Sequence, residues 1–319
     1  MNLDSENLQA VLSPAGGYAY RVAELTWVLF IGGTVIFLIV AAFLALASFG
    51  GPALKARLGS RRFILAGGVV FPVVTLSLLL VWTLGINRAV SLPLGLGGEP
   101  PMRIQMVGYQ FWWEVRYPGT MPGGGVVTAN EVRIPVGRDV VLEVTSADVI
   151  HSVWIPALHG KIDMIPGRWN TRPIRADRPG VLRGQCTEYC GAQHALMAFF
   201  VVAETPANFE AWLNRQRLPA PTPANPVLAM GAAAFGAAGC GGCHAIRGTE
   251  WDGQIGPDLT HVGSRLSLAA GVLENHRGTL AGWIAGAQDI KPGNRMPSFS
   301  AVLDGPELRA MAAWLESLK

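Results

Sequence analysis

The hydrophobic positions of the chain form two long, uninterrupted blocks near the N-terminus, followed by short runs that alternate with polar residues. The blocks cover residues 25–49 and 63–84, and neither contains a charged residue. At a rise of 1.5 Å per residue, helices of this length reach roughly 33 to 37 Å, which is enough to cross the hydrocarbon core of a bilayer. We therefore predict a transmembrane helical hairpin over residues 25–88, preceded by a tail of residues 1–24.

The short segment between the two blocks is basic and contains no acidic residue. Its cations are Lys55, Arg57, Arg61 and Arg62. The positive-inside rule places such a loop in the cytoplasm, so both ends of the chain are expected outside. A buried hairpin in a soluble protein is the alternative, which two charge-free blocks disfavour. We predict a bacterial cytoplasmic (inner) membrane protein with the remaining chain on its outer, periplasmic side. The first 20 residues lack the basic n-region of a typical cleavable signal peptide.

Between residues 104 and 204 the sequence pattern changes to short runs with a high β-propensity. Four runs are rich in β-branched and aromatic residues: EVRIPVG, DVVLEVTSA, HSVWIPA and AFFVVAE. Turn-forming residues separate them at short intervals, which is typical of an antiparallel sandwich or barrel. We assign residues 89–217 to this β domain.

A proline-rich segment separates the β domain from a third region. Residues 218–226, LPAPTPANP, predict a stiff, extended linker. Residues 227–319 are rich in alanine and glycine, and PELRAMAAWLESL near the end has its apolar residues at helical spacing. We predict a helical domain here.

The net charge and the cysteine content limit the functions that this chain is expected to have. The net charge of +3 is small for 319 residues, so nothing favours nucleic-acid binding, and no nucleic-acid partner is expected. The four cysteines form two close pairs, each with a histidine nearby. Such pairs indicate cofactor ligands better than a disulfide framework does.

The first cysteine pair belongs to a cluster of soft ligands. Cys186, Cys190, His194 and Met197 lie within twelve residues, and His151 follows a strand-like run. Sulfur with imidazole suits copper. Two cysteines four residues apart can bridge two copper ions, with each histidine capping one ion and the methionine as a weak ligand. A structural zinc site is the alternative, although zinc sites more often use Cys-x2-Cys pairs and methionine is not a usual zinc ligand.

The second pair forms the motif Cys240-Gly-Gly-Cys243-His244, which is typical of covalent c-type haem attachment. Both thiols can add to the vinyl groups of one haem, with His244 as an axial ligand. A thioredoxin-type redox pair is the alternative, which the following histidine and the missing βαβ pattern disfavour. The run KPGNRMP resembles the methionine loop of class I cytochromes c, which makes Met296 the expected second axial ligand. In that family the carbonyl corresponding to Pro257 accepts a hydrogen bond from the axial histidine.

Five further side chains have weaker interpretations. We expect His159 at the surface and Met164 and Met311 in packing roles. His261 and His276 are less favoured axial candidates for the haem.

Three segments make the chain resemble cytochrome c oxidase subunit II. They are residues 146–156 (SADVIHSVWIP), 160–168 (GKIDMIPGR) and 186–197. The resemblance covers roughly residues 20–205 and implies a cupredoxin-like barrel that carries the dinuclear CuA centre. The ligands that it implies are His151, Cys186, Cys190, His194, Met197 and the backbone carbonyl of Glu188. The Glu188 side chain would also help to bind Mg²⁺ at the interface with subunit I.

The sequence departs from this family at two places. The family's aromatic patch usually starts with a tryptophan that accepts electrons from soluble cytochrome c, whereas Phe111 stands there in this chain. Phe111, Trp112 and Trp113 are our candidates for electron transfer. Many relatives also have a glutamate near the start of the second helix that feeds a proton path, and the run RRFILA offers none.

Together these patterns predict a multidomain membrane protein: a two-helix transmembrane hairpin, a cupredoxin-like β-barrel and an all-α cytochrome c domain. We expect subunit II of a respiratory haem-copper oxidase. It would pass electrons from cytochrome c or a bc1-type complex through haem c and CuA to subunit I, which reduces O2 and pumps protons. Subunit III is a further expected partner. The alternatives are the CuA subunit of a nitric oxide reductase and a free-standing tethered carrier. The full ligand set disfavours a quinol oxidase.

Overall fold

The computed structural model describes residues 10–91, 100–119 and 125–319. Residues 1–9 of the predicted tail, and residues 92–99 and 120–124 of the predicted β domain, lie outside the described residues. Over the described ranges the chain forms the predicted succession of a helical hairpin, a β domain and a helical domain.

Two helical stretches of the hairpin have the length and composition of membrane spans. They cover Gly17–Phe49 and Arg61–Val90, with mean hydropathies of 2.8 and 2.5, and their most apolar windows are not buried inside the protein. The helices are α1 (Gly17–Phe49), α2 (Pro52–Leu58), α3 (Arg61–Leu65) and α4 (Phe71–Val90). Phe43 and Phe63 meet edge to face at 5.2 Å between ring centroids. Both spans are longer than the apolar blocks of the sequence.

A π-helical turn, Ala66–Val70, joins α3 to α4 directly before Pro72. Proline has no N–H for the carbonyl four residues earlier, which belongs to Gly68, and its ring crowds that carbonyl. A wider turn relieves this crowding while the helix continues. The proline therefore alters the second span without interrupting it.

The β domain consists of two five-stranded sheets, in the orders β3-β2-β1-β5-β8 and β4-β10-β9-β6-β7. The strands are β1 (Met102–Tyr109), β2 (Trp112–Tyr117), β3 (Val126–Ala129), β4 (Glu131–Pro135), β5 (Val140–Ser146), β6 (His151–Trp154), β7 (Ile162–Met164), β8 (Asn170–Ile174), β9 (Gly180–Cys186) and β10 (Ala198–Glu204). All four predicted runs are strands. The purely antiparallel prediction is wrong for two pairs, since β1 is parallel to β5 and β10 to β4. Alternation of apolar residues is the same for both pairing directions, so the pattern could not distinguish them.

The two sheets enclose one apolar core. Its fully buried members include Ile104, Trp113, Leu142 and Phe199. Met164 is also fully buried among them, as its predicted packing role requires. This rigid core carries the strand ends on which the candidate ligands lie.

His159 joins the helical hairpin to the β domain. It is only 5% exposed, so the surface prediction is wrong. Its Nε2 lies 2.9 Å from the carbonyl oxygen of Val90 at the end of α4, and its ring stacks obliquely on Tyr18 in α1 at 5.3 Å. Nearby, the amide of Ala15 donates to the carbonyl of Ala157 at 2.7 Å. The segments that cover His159 are distant in sequence, which is why local pattern gave no sign of them.

We expect low pH to weaken the contact between the helical hairpin and the β domain. The variant His159→Gln should remove this pH dependence. Burial lowers the pKa of His159 from 6.5 to about 4. Below pH 6.5 the histidine therefore binds a proton in the unfolded chain, whereas the docked histidine stays neutral. The stabilisation is complete above pH 6.5 and falls by about 3 kcal/mol as the pH drops towards 4. Glutamine can still donate an N–H to Val90 but does not titrate. Hydrogen exchange of a peptide containing Ala15, whose amide donates across this contact, measures the effect from pH 7 to 4.5. An equal pH dependence in both proteins would contradict it.

The helical domain packs two helices against the final one. Its helices are α6 (Pro226–Ala237), α7 (Arg277–Ala285), α8 (Ala287–Ile290) and α9 (Gly305–Ser317), preceded by α5 (Pro206–Gln216), which packs on the β domain. Two short strand pairs accompany them, β11 (His244–Ala245) with β12 (Asp252–Gln254) and β13 (Ser267–Leu268) with β14 (Leu273–Glu274). Phe235, Trp251 and Trp314 form the aromatic centre, and Met311 is buried beside them as predicted. The Asp304 side chain caps α9 by accepting from the amide of Glu307 at 2.8 Å.

The predicted linker lies along the helical domain and is fastened to it. The amide of Ala220 donates to the carbonyl of Arg247 at 2.8 Å, and Nε2 of His261 donates to the carbonyl of Leu218 at 3.0 Å. The helical domain also contacts the β domain directly, because the amide of Ala198 donates to the carbonyl of Ala270 at 3.0 Å. The first residues of the linker are therefore held on the helical domain, while most of the linker is exposed.

Candidate metal centre and haem cavity

The candidate copper ligands meet at one end of the second sheet. His151 starts β6 and Cys186 ends the neighbouring strand β9. The loop that leaves Cys186 carries Cys190 and His194 and returns to the sheet at Met197, directly before β10. The structure thus brings all five side chains together: His151 and Cys186 lie at strand ends, and the loop after Cys186 supplies the other three.

The sulfur atoms have the spacing of metal ligands. Sγ of Cys186 and Sγ of Cys190 are 3.8 Å apart, and Sδ of Met197 is 3.8 Å from Sγ of Cys190. A disulfide requires about 2.05 Å. Two sulfurs bound at about 2.3 Å to one ion with a near-tetrahedral angle are about 3.8 Å apart, which matches the observed separation. The carbonyl oxygen of Glu188 also lies 3.2 Å from Sγ of Cys186.

Each histidine turns its Nδ1 atom towards a different cysteine. Nδ1 of His151 is 4.0 Å from Sγ of Cys186, and Nδ1 of His194 is 3.6 Å from Sγ of Cys190. Nε2 of His151 donates its hydrogen to Oδ1 of Asp148 at 2.8 Å, which leaves the lone pair on Nδ1 for a metal. Two thiols between two separately placed imidazoles fit a pair of ions better than one ion.

The two thiols are coupled through a hydrogen bond between their sulfur atoms. This bond with Cys190 lowers the pKa of the Cys186 thiol. The same interaction with the neighbouring sulfur raises the pKa of Cys190. The pair therefore loses its first proton more readily than an isolated thiol would, and a soft cation can displace the remaining proton.

Asp148 orients His151, a candidate copper ligand, and replacing it with asparagine is expected to weaken copper binding. Its carboxylate accepts three hydrogen bonds, from Nε2 of His151 and from the amides of Gln110 and Val149. Asparagine has one acceptor oxygen and no charge, so it cannot satisfy all three donors. We expect a roughly 10- to 100-fold loss of copper affinity. Competition titration with a copper chelator measures it, with the exposed Asp177→Asn as the control. Equal affinities would contradict the role of Asp148.

The Glu188 side chain is partly exposed and paired with Lys161. Its Oε2 is 3.3 Å from Nζ of Lys161, which also lies 3.0 Å from Oδ1 of Asp163. Carboxylate oxygens suit Mg²⁺, which often takes only one or two protein carboxylates. The Mg²⁺ site therefore stays a prediction that needs ligands from a partner.

A second site is a cavity of about 460 Å³ that residues of the helical domain and of the β domain line together. Its wall contains all four predicted haem residues: Cys240, Cys243, His244 and Met296. Both cysteines are free thiols. The donor set and the largely apolar lining fit a covalent c-type haem. The alternative axial candidates are engaged elsewhere, since His261 binds the linker and His276 caps α7.

His244 is prepared for axial ligation. Its Nδ1–H donates to the carbonyl of Pro257 at 2.7 Å, as predicted, so Nε2 is free for iron. Burial lowers the pKa of His244, which keeps the imidazole neutral. A Cβ at Gly256 would lie 2.5 Å from Cε1 of His244, so only glycine leaves room for the ring in this position.

The haem cavity and the copper ligands share one wall. Phe111 and Trp112 line the cavity, whereas Trp113 is buried in the β core against Phe199. Gln110 also lines the cavity, and its Nε2 donates to the carbonyl of Cys190 at 2.6 Å. Sequence reasoning missed Gln110, although it directly precedes the aromatic run.

Two sequence profiles and several curated proteins match this chain. A sequence profile described as cytochrome C oxidase subunit II, periplasmic domain, matches residues 125–204, and one described as cytochrome c matches residues 228–319. A cytochrome c oxidase subunit 2 from Alkalihalophilus pseudofirmus is 38% identical over 70% of this chain and 63% of its own length. The Bacillus subtilis subunit 2 is 26% identical over 97% of this chain and 92% of its own length.

A solved structure of the periplasmic domain of subunit II of cytochrome oxidase, from Bradyrhizobium japonicum, is 30% identical. The match covers 37% of this chain and 95% of that chain, with a TM-score of 0.35. The chain spans about three fifths of the length of the first two curated relatives that it matches. On the profile matches and the curated relatives, the chain belongs to the cytochrome c oxidase subunit II family, in a form in which a cytochrome c domain follows the β domain.

Proposed function

We propose that this chain is the subunit through which electrons enter a respiratory haem-copper oxidase. Bound at the two sites, a copper pair and a c-type haem would supply one-electron redox chemistry. In this proposal His151, Cys186, Cys190, His194, Met197 and the Glu188 carbonyl hold the copper, and Cys240, Cys243, His244 and Met296 hold the haem. The wall of Gln110 and Phe111 between the two sites is the observation that favours it most.

The residues around the copper ligands keep that site rigid and dry. Cys186, Cys190, His151 and Met197 are all buried, and their strand ends belong to the core of the β domain. A site that changes little when its charge changes needs little reorganisation for each electron. Burial also excludes water that would compete for the ligands. These properties favour an electron relay over a site that binds a substrate.

The proposal includes the setting of the chain. The two spans would lie in a bacterial cytoplasmic membrane, with the β and helical domains on the periplasmic side. The proposed units are residues 1–24, 25–88, 89–217, 218–226 and 227–319. Subunit I would receive the electrons, reduce O2 and pump protons, with subunit III beside it. Cytochrome c or a bc1-type complex would be the donor, and Mg²⁺ would bind through Glu188 at the interface with subunit I.

Purification of the full chain with its native partners tests this function. We expect a large haem-copper subunit to accompany it and the complex to consume O2 with reduced cytochrome c as donor. Reduction of nitric oxide without O2 consumption would contradict the oxidase and support the reductase. Recovery of the chain alone from gently solubilised membranes would contradict both and leave a free-standing carrier.

A further inference from the structure

Lys291 is a buried cation at the boundary between the two domains. It is 2% exposed, and its Nζ donates to the carbonyl of Phe111 in the β domain at 2.8 Å. It also donates to the carbonyl of Ala269 in the helical domain at 2.9 Å. One ammonium group therefore connects both domains through backbone oxygens.

The loop that starts at Lys291 contacts the loop of residues 187–197. We call the latter the copper ligand loop, because it carries the candidate ligands Cys190, His194 and Met197. We call residues 291–296 the methionine loop, because it ends at Met296. The side-chain amide of Gln193, next to His194, donates to the carbonyl of Pro292 at 2.7 Å. At the far end of the same loop, Arg295 faces Asp148 at 4.0 Å. Both residues contacted on the β domain adjoin or bind a candidate copper ligand.

Burial of this cation is costly. Among the described residues that line the haem cavity, Lys291 among them, none is acidic. Burial lowers the pKa of Lys291 to about 7. An ammonium in such surroundings costs free energy that an apolar side chain would avoid. Its two carbonyl partners are therefore the interactions that distinguish lysine from an apolar residue here.

We propose that Lys291 is a positioning residue that holds the methionine loop against the copper ligand loop and so fixes the distance that electrons cross. This inference rests on the proposed function. The step that it serves transfers one electron, which oxidises the haem iron from Fe(II) to Fe(III) and reduces the copper pair by one electron. Lys291 does not carry the electron. It sets the geometry of the wall formed by Gln110 and Phe111.

The test compares Lys291→Met with Lys319→Met in the full, cofactor-loaded chain. Lys319 is exposed in the same domain, so its replacement removes a lysine without touching the boundary. After photoreduction of the haem, we expect electron transfer to copper to slow at least about tenfold in Lys291→Met, because ångström-scale misplacement of reacting groups costs up to about a hundredfold. Hydrogen exchange of a peptide containing Ala198 should also become faster, since its amide donates across the boundary. The Lys319→Met protein should match the parent in both.

Transfer at the parent rate in Lys291→Met would overturn the inference. Slower transfer with unchanged exchange at Ala198 would also overturn it, because the domains would then still be docked. If the methionine variant loses its haem or copper spectrum, Lys291→Gln replaces it; its amide nitrogen is one bond closer to the backbone than Nζ and cannot reach both carbonyls. Slower transfer and faster exchange at Ala198 are expected for it as well, and parent values in either would overturn the inference. Failure of the proposed function looks different, since the parent chain itself would then show no transfer from haem to copper.

Discussion

Replacement of Cys186 with serine is expected to abolish the dinuclear copper signal, including nearly all of the near-infrared absorption of a mixed-valence pair. The serine hydroxyl is a poor ligand for a soft cation and cannot bridge two ions as a thiolate does. Copper content should fall from two ions per chain to one at most. Near-infrared spectroscopy and metal analysis of the copper-loaded chain measure both effects.

The control for this variant is Met164→Leu, which removes another buried sulfur from the β domain. Met164 packs in the core and has no place in the ligand cluster, and a methionine-to-leucine change conserves volume. Its copper spectrum should equal that of the parent. A Cys186→Ser protein that kept the mixed-valence band would show that the bridging sulfurs are not those assigned.

The second large effect is expected from Met296→Leu. The haem should stay attached through Cys240 and Cys243, but the iron would lose its thioether ligand. Thioether ligation raises the potential of a c-type haem, so the variant should be harder to reduce. We expect the equilibrium between the haem and its electron donor to shift at least about tenfold towards oxidised haem. This shift corresponds to a fall of about 59 mV in the haem potential for one electron. Redox titration followed by haem absorbance measures this shift.

Met311→Leu is the matched control, since Met311 lies in the core of the same domain at 1% exposure. Its potential should stay at the parent value. If Met311→Leu lowered the potential and Met296→Leu did not, the axial ligand would have been assigned to the wrong methionine.

Much of this structure follows from local pattern. The apolar blocks predicted both membrane spans, and the four β-rich runs predicted strands that the structure contains. Ligand spacing near Cys190 and the Cys240–His244 motif named the side chains that the fold brings together. These features can be predicted from the sequence because residues close in sequence share one loop or one helix face. Their spacing alone then constrains their geometry.

The boundary between the domains could not be predicted in the same way. The sequence shows Lys291 as a charged loop residue, yet it is buried, and its Nζ donates to the carbonyl of Phe111, which lies 180 positions earlier. His159 is covered by Tyr18 at the start of the first helix of the hairpin and by Val90 at the end of its last helix. Such contacts depend on how completed elements dock, and docking leaves no periodic trace in the sequence. The contacts of Leu218 and Ala220 with the helical domain likewise could not be predicted from the composition of the linker.

Electron paramagnetic resonance of the oxidised, copper-loaded full chain, together with its copper-to-iron ratio, tests the central proposal most directly. A shared electron should give the hyperfine pattern of two equivalent copper nuclei, with two copper ions for each haem iron. A single-copper pattern, or a β domain that takes up only zinc, would contradict the paired copper site and with it the proposed relay.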